Sequence, residues 1–347
     1  DAGGQMGQGG QGTTKTCPSG QTPCAGLCID PQSDRSNCGA CGRVCSAISP
    51  STAKCLAGRC LVTLASNQDH PVSIAVDDTS VYWTNYWSGT VMKVAVGGGT
   101  ATILAQAQAP EGIAIDATSV YWTDNRASTV MKVPLGGGTP ITLVTLEYYS
   151  GPYAIVVDST NIYWANSATG GPTQKPSTVM KAPLAGGSPV TLASRPDTAP
   201  TGLALDGTNI YWIDSGGLMT VPTGGGDLTT LVSAVAGDPA GIAVDSGDVY
   251  WADMDGTVMK VPLGGGQPIT LASLKFGSGP IGIAVDDTSV YWTSINVGTV
   301  MKVPRYGGVL TTLFSAHLYE PFAIAVGGGS VYWTDVASGA IMKISPK

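Results

Sequence analysis

Apolar and polar positions alternate along most of the chain in runs of five or six residues. That period belongs to short strands and not to helices. One stretch shows the unit clearly. Residues 112–116 alternate and end in Asp116, residues 117–119 form a turn, and residues 120–124 make a second run rich in β-formers. A third run covers 129–135, the glycines 136–138 turn the chain, and 139–143 form a fourth run. Glycine triplets suit such turns because they accept positive φ without steric cost.

The unit recurs. A Tyr-Trp pair appears seven times, with Trp at 83, 122, 164, 212, 251, 292 and 333, at spacings of 39, 42, 48, 39, 41 and 41 residues. Four short strands every forty or so residues predict a β-propeller blade. The seventh unit stops after its third strand, at 340–344, while residues 61–66 match the fourth-strand residues 268–273 of blade five. The reading is an all-β, seven-bladed propeller over 61–347, closed by pairing 61–66 with the C-terminal three strands. Closure removes two exposed sheet edges.

All eight cysteines (Cys17, Cys24, Cys28, Cys38, Cys41, Cys45, Cys55 and Cys60) precede this region. An even count within 44 residues reads as a disulfide module, 17–60, formed in an oxidising compartment. No second CxxC follows Cys38 and Cys41 at zinc-finger distance, and the pairing stays open among 105 possibilities. Residues 1–16 are a Gly/Gln-rich tail, read as a tether. No run of 18 apolar residues exists, so no transmembrane helix is expected. The chain opens at Asp1 without Met, which reads as a processed, secreted or surface-held chain; the lack of any N-x-S/T sequon fits a bacterial source.

The residues Tyr-Trp-Thr-Asp at 121–124 and 332–335, with the preceding 112–116 and the following Val-Met-Lys, resemble the YWTD repeat of LDL-receptor class B. The resemblance covers 61–347 and implies a protein-binding propeller; propellers of that family have six blades, against seven counted here. The segment around Asn37, Cys38, Gly39, Ala40, Cys41, Gly42 and Cys45 is similar to the stigma-specific cysteine-rich family and to cysteine-rich modules of secreted myxobacterial proteins.

Composition narrows the chemistry. Glycine accounts for 48 of 347 residues, charged residues for 12%, and the formal charge is −7. An acidic chain argues against a nucleic-acid partner. Two histidines exclude a multi-histidine metal site, and three glutamates leave few candidates for paired-carboxylate chemistry. No cofactor or metal is expected; Asp253 and Asp255 are the one acidic doublet that could begin a calcium site.

Residues common to every blade build the blade. The seven Trp are expected to pack between blades. Asp77, Asp116, Asp158, Asp206, Asp245 and Asp286 are expected to accept turn amides, with Gly327 in that place in blade seven. The residues after the Trp pair (Asn85, Asp124, Asn166, Asp214, Asp253 and Asp335, with Ser294 breaking the series) are read the same way. Lys93, Lys132, Lys181, Lys260, Lys302 and Lys343 are expected to snorkel to these acids.

Function is sought where the blades differ. The residue after each blade-opening proline is Val72, Glu111, Tyr153, Thr201, Ala240, Ile281 and Phe322, which the repeat places around one channel mouth. Adjoining loops add Tyr86, Trp87, Tyr148, Tyr149, Phe276, His317 and Tyr319. Aromatics on a rim suit glycan stacking or a protein hot spot. The expectation is a non-enzymatic, extracellular binding or adhesion module for a protein or glycan. Its ligand-binding residues are Tyr86, Trp87, Glu111, Tyr148, Tyr149, Tyr153, His317, Tyr319 and Phe322. Two alternatives stand beside it: a structural subunit that self-assembles through its N-terminal tail, and a secreted lyase or lactonase. The lyase would draw on His70, His317, Tyr319 and Glu320, with Asp69 and Glu111 near. A loop insertion at 166–177 in blade three offers a lid or partner contact.

Overall fold

The computed structural model describes residues 17–45, 53–167, 176–196, 198–233, 235, 237–316 and 319–347. Expectations for the tail, for His317 and for most of the blade-three insertion lie outside the described residues. Within them every regular element is a strand.

Seven antiparallel sheets form the propeller. Blade two is typical, running from Pro110–Ile115 on the channel through Ser119–Asp124 and Thr129–Pro134 to Ile141–Thr145 at the rim. Blade seven takes Pro321–Gly327, Ser330–Asp335 and Ala340–Ser345 from the C-terminus and Arg59–Ala65 from the N-terminus. The closing strand pairs Ile341 with Ala65 and Ser345 with Cys60, so it begins two residues earlier than expected. The cause is a further strand, Ala53–Leu56, which forms a hairpin with it and extends the sheet to five strands.

The second strand explains the packing. Side chains alternate faces, so neighbouring Tyr and Trp point to opposite sides of their blade. Trp122 packs with Tyr82, Val91 and Leu104 of blade one. Tyr121 packs with Trp164 of blade three. The same Tyr-to-Trp handshake fills each junction around the ring, and all seven Trp are buried.

Each tyrosine is also tied down by its hydroxyl. Tyr121 donates to Asp116 Oδ2 at 2.7 Å, while Asp116 Oδ1 accepts the amides of Thr118 and Ser119. The strand-ending acids thus hold their turns as expected, and through the tyrosines they hold the blade cores too. The acid after the Trp does comparable work on the loop face. Asp124 accepts the amides of Gln108, Ala109 and Ala127, and Asp253 accepts those of Asp238 and Asp255.

The lysines depart from expectation. Lys93, Lys132, Lys181 and Lys343 donate to the backbone carbonyls of Leu135, Leu184, Thr223 and Val96, each in the next blade. Only Lys260 among the six reaches an acid, Asp248 at 2.9 Å. The glycine turn at the neighbouring blade's foot presents unpaired carbonyls, and these lie closer than its carboxylates.

The module is stapled by Cys17–Cys28, Cys24–Cys41, Cys38–Cys55 and Cys45–Cys60. Cys38 and Cys45 are buried in one cluster with Val62, Leu64, Trp83 and Tyr332. The module therefore sits on the junction where the ring closes.

Candidate functional site at the channel mouth

Val72, Glu111, Tyr153, Thr201, Ala240, Ile281 and Phe322 all line one cavity of about 430 Å³ at the loop-face end of the channel. In six blades the lining residue is the second of the inner strand, and in blade four Thr201 stands two residues before Leu203–Leu205. The threonine after Trp reinforces the placement: Thr84 donates to the carbonyl of Glu111, and Thr123 to that of Tyr153, each at 2.7 Å. In blade two the approach is close enough to require glycine at the following position. A Cβ on Gly112 would lie 2.3 Å from the Tyr153 carbonyl oxygen.

The mouth is not symmetric. A second cavity, about 440 Å³, opens beside blades one to three and shares Tyr86, Glu111 and Tyr153 with the first. Asn125, Arg126, Tyr148 and Tyr149 complete much of its wall. Glu111 stands between the two cavities. Burial pushes its carboxyl up to about 7, against the pull of the Asn125 amide, which donates to Oε2 at 2.9 Å. Burial, and then the charge of Glu111, push Tyr153 up to about 12. Asn125 is itself fixed, because its backbone amide donates to Ala109 and the adjoining Asp124 carboxylate clamps the same loop.

Next to Tyr86, His70 lines the first cavity. Its ring stacks on Trp87 at 4.3 Å with planes 7° apart, and meets Tyr86 edge-on at 6.2 Å. His70, Ser128 and Tyr149 line these cavities and have φ of 60°, 55° and 65°. Non-glycine residues seldom occupy that region, and bulky ones do so at a cost of about 1–3 kcal/mol.

Of the residues read as a site, Tyr86, Glu111, Tyr148, Tyr149, Tyr153 and Phe322 come together here, with Trp87 alongside through His70. Tyr319 does not. It packs against Phe314 at 5.4 Å in the core between blades six and seven. Phe276 is exposed and lines neither cavity. The constellation of His70, His317, Tyr319 and Glu320 therefore loses Tyr319 to the core, and His317 lies outside the described residues. Asn125 and Arg126 went unread. Comparing the residue just after the strand-two acid across the blades (Tyr86, Asn125, Ser167, Ser215, Met254, Ile295 and Val336) separates a polar side, blades one to four, from an apolar one.

These features define a seven-bladed β-propeller with a disulfide-rich N-terminal region and an off-centre cavity on its loop face. Among solved structures the chain is similar to virginiamycin B lyase from Staphylococcus aureus, with a TM-score of 0.70, 15% identity, and coverage of 82% of this chain and 98% of that one. A streptogramin B lyase structure is alike at TM-score 0.70 and 15% identity, over 83% of this chain and 97% of that one. The WD40 propeller domain of Doa1 follows at 0.65 and 12%, over 82% and 95%. At such identities the likeness is one of fold. No family model matches the chain, and no curated protein matches it. The expectation that the chain is not an enzyme is corrected by these likenesses: a lyase is built on the same architecture, so the fold gives no ground for excluding catalysis.

Proposed function

We propose that the chain is an extracellular propeller, secreted or held at a cell surface, that captures a ligand at the loop-face mouth of its channel. One observation carries this reading. The blades repeat almost everywhere, yet the seven channel-mouth positions all differ and line a single cavity. Loops on a rigid scaffold commonly carry recognition, and a concave, largely apolar pocket with a few convergent polar groups is the usual form of a ligand site. The four disulfides accord with an oxidising environment.

The test is saturation-transfer NMR with a panel of oligosaccharides, short peptides and small organic ions. Binding should be lost in the Tyr153→Ala and Phe322→Ala double variant and kept in Tyr306→Ala, which alters the glycine-turn face. Loss in Tyr306→Ala alone would move the site to the other face.

A second reading follows from Glu111. A carboxyl that titrates near neutrality, in a cavity that also holds a histidine, is suited to general acid–base work. On this reading the chain turns over a compound of the virginiamycin B kind, and both Glu111→Gln and His70→Ala abolish turnover. Intact substrate after prolonged incubation with the unaltered protein would end it.

A further inference from the structure

We propose that the cleft beside blades one to three takes a methylated ammonium group, carried on a larger ligand. The inference deepens the channel-mouth reading and rests on it.

Four tyrosines (Tyr86, Tyr148, Tyr149 and Tyr153) line this cleft together with one carboxylate, Glu111. The faces of aromatic rings attract cations, most strongly where water is excluded. Tyr148 and Tyr149 meet edge to face at 4.2 Å, which leaves ring surface turned outward from the pair. Tyr149 is held at φ 65°, an unfavourable backbone for a bulky side chain, and this presents its ring at the cleft. Ionised above about pH 7, Glu111 supplies the opposite charge at the cleft's inner end, and Asn125 steadies it at 2.9 Å.

The cleft selects among cations. A primary ammonium is strongly hydrated and needs several acceptors to replace its water. Glu111 is the one carboxylate in this wall, and four of the nine other lining residues are tyrosines. A methylated ammonium sheds water more readily and makes contact through its methyl groups, so it matches rings better than hydrogen-bonding walls. Arg126 is the single Lys or Arg of the lining, and it is exposed at the rim. A neutral sugar would use the rings and leave the Glu111 charge unanswered.

The experiment titrates the full chain with choline, with its uncharged isostere 3,3-dimethylbutan-1-ol, and with maltose, following binding by calorimetry and ligand-observed NMR. Choline should bind and the isostere should be at least about tenfold weaker. Glu111→Gln should weaken choline by about tenfold or more. Tyr149→Gly, which relieves the backbone while removing the ring, should weaken it by about threefold or more. Arg126→Ala should strengthen it by removing a like charge. A melting curve on each variant checks that the blades remain intact. Choline binding no better than that of its isostere, or unchanged in Glu111→Gln, would overturn the ammonium assignment and leave the mouth as a binding site. Failure of all three probes would overturn the assignment and count against the mouth reading as well.

Discussion

The two ends of the channel are built from the same strands, yet they obey different rules. At the glycine-turn end two devices recur: in six blades an acid takes turn amides and a tyrosine hydroxyl, and in four a lysine reaches the next blade's carbonyl. At the loop end the corresponding positions carry a valine, a glutamate, a tyrosine, a threonine, an alanine, an isoleucine and a phenylalanine. The same contrast holds within one residue type. Seven of the eight tryptophans are buried between blades, and the eighth, Trp87, is 67% exposed beside His70. Repetition marks what the ring needs to exist, and departure from repetition marks what the ring is available to do.

The sharpest way to break that comparison is to open the ring. Deleting residues 61–66 removes most of the strand that pairs with Ala340–Ser345 and exposes the edge of blade seven's sheet. The expected outcome is loss of the cooperative thermal transition; a truncated chain that melts as the intact one does would sink the closure model. Next in size comes the tryptophan contrast. Trp122→Ala should cost about 3–5 kcal/mol by urea denaturation, as large core truncations do. Trp87→Ala should stay within about 0.5 kcal/mol. Equal losses would mean that the framework and the rim are not separable.

Much of this was legible in the chain, for identifiable reasons. A propeller writes its period into the sequence, so Tyr82–Trp83 and its six copies announced the blades. The orphan fourth strand was found by matching 61–66 to 268–273, because a strand's sequence pattern survives displacement along the chain. Other features were hidden physically. The lysine partners are main-chain carbonyls, which carry no residue signature. Four disulfides from eight cysteines are one choice among 105, and the hairpin of Ala53–Leu56 with Arg59–Ala65 sets Cys55 opposite Cys60, yet they bridge to Cys38 and Cys45 and not to each other. Tyr319 read as a rim aromatic because it follows a loop, but Phe314 offered it an apolar partner. Asn125 carries no signal of its own, because it follows Asp124 of the repeating pattern and its bond to Glu111 joins residues 14 apart in the chain.

Glu111 tests whether the mouth is maintained at a cost to stability. Its ordinary value is 4.5, and burial raises it to about 7 in the folded chain. Between those values the folded protein holds a proton that the unfolded chain has released. Stability therefore falls as pH rises from about 4.5 to 7 and stays lower above, by roughly 3 kcal/mol. Glu111→Gln, which cannot ionise, should match the unaltered protein near pH 4 and exceed it by up to about 3 kcal/mol at pH 8. Arg126, His70, Tyr86, Tyr149 and Tyr153 line the cavities that Glu111 joins, and the variant leaves all of them in place. Parallel stability curves across this range, measured by denaturant titration, would show that the carboxyl is not held at a penalty.

The smallest effect lies within the framework and uses blade seven as its own control. Tyr121→Phe deletes the bond to Asp116 and should cost about 1 kcal/mol. Tyr332→Phe removes the same hydroxyl where Gly327 stands in place of the acid, and should cost measurably less. Burial alone would raise Asp116, but the Tyr121 hydroxyl and the Thr118 and Ser119 contacts outweigh it and hold the carboxyl below its ordinary 3.8. A carboxyl depressed in this way adds stability that is present above the unfolded value and is lost as pH falls through the folded one. The gap between the unaltered protein and Tyr121→Phe should therefore narrow in strong acid, while that for Tyr332→Phe stays flat. A gap for Tyr332→Phe as wide as that for Tyr121→Phe, with the same pH dependence, would detach the tyrosine–acid pair from the stability of the blade.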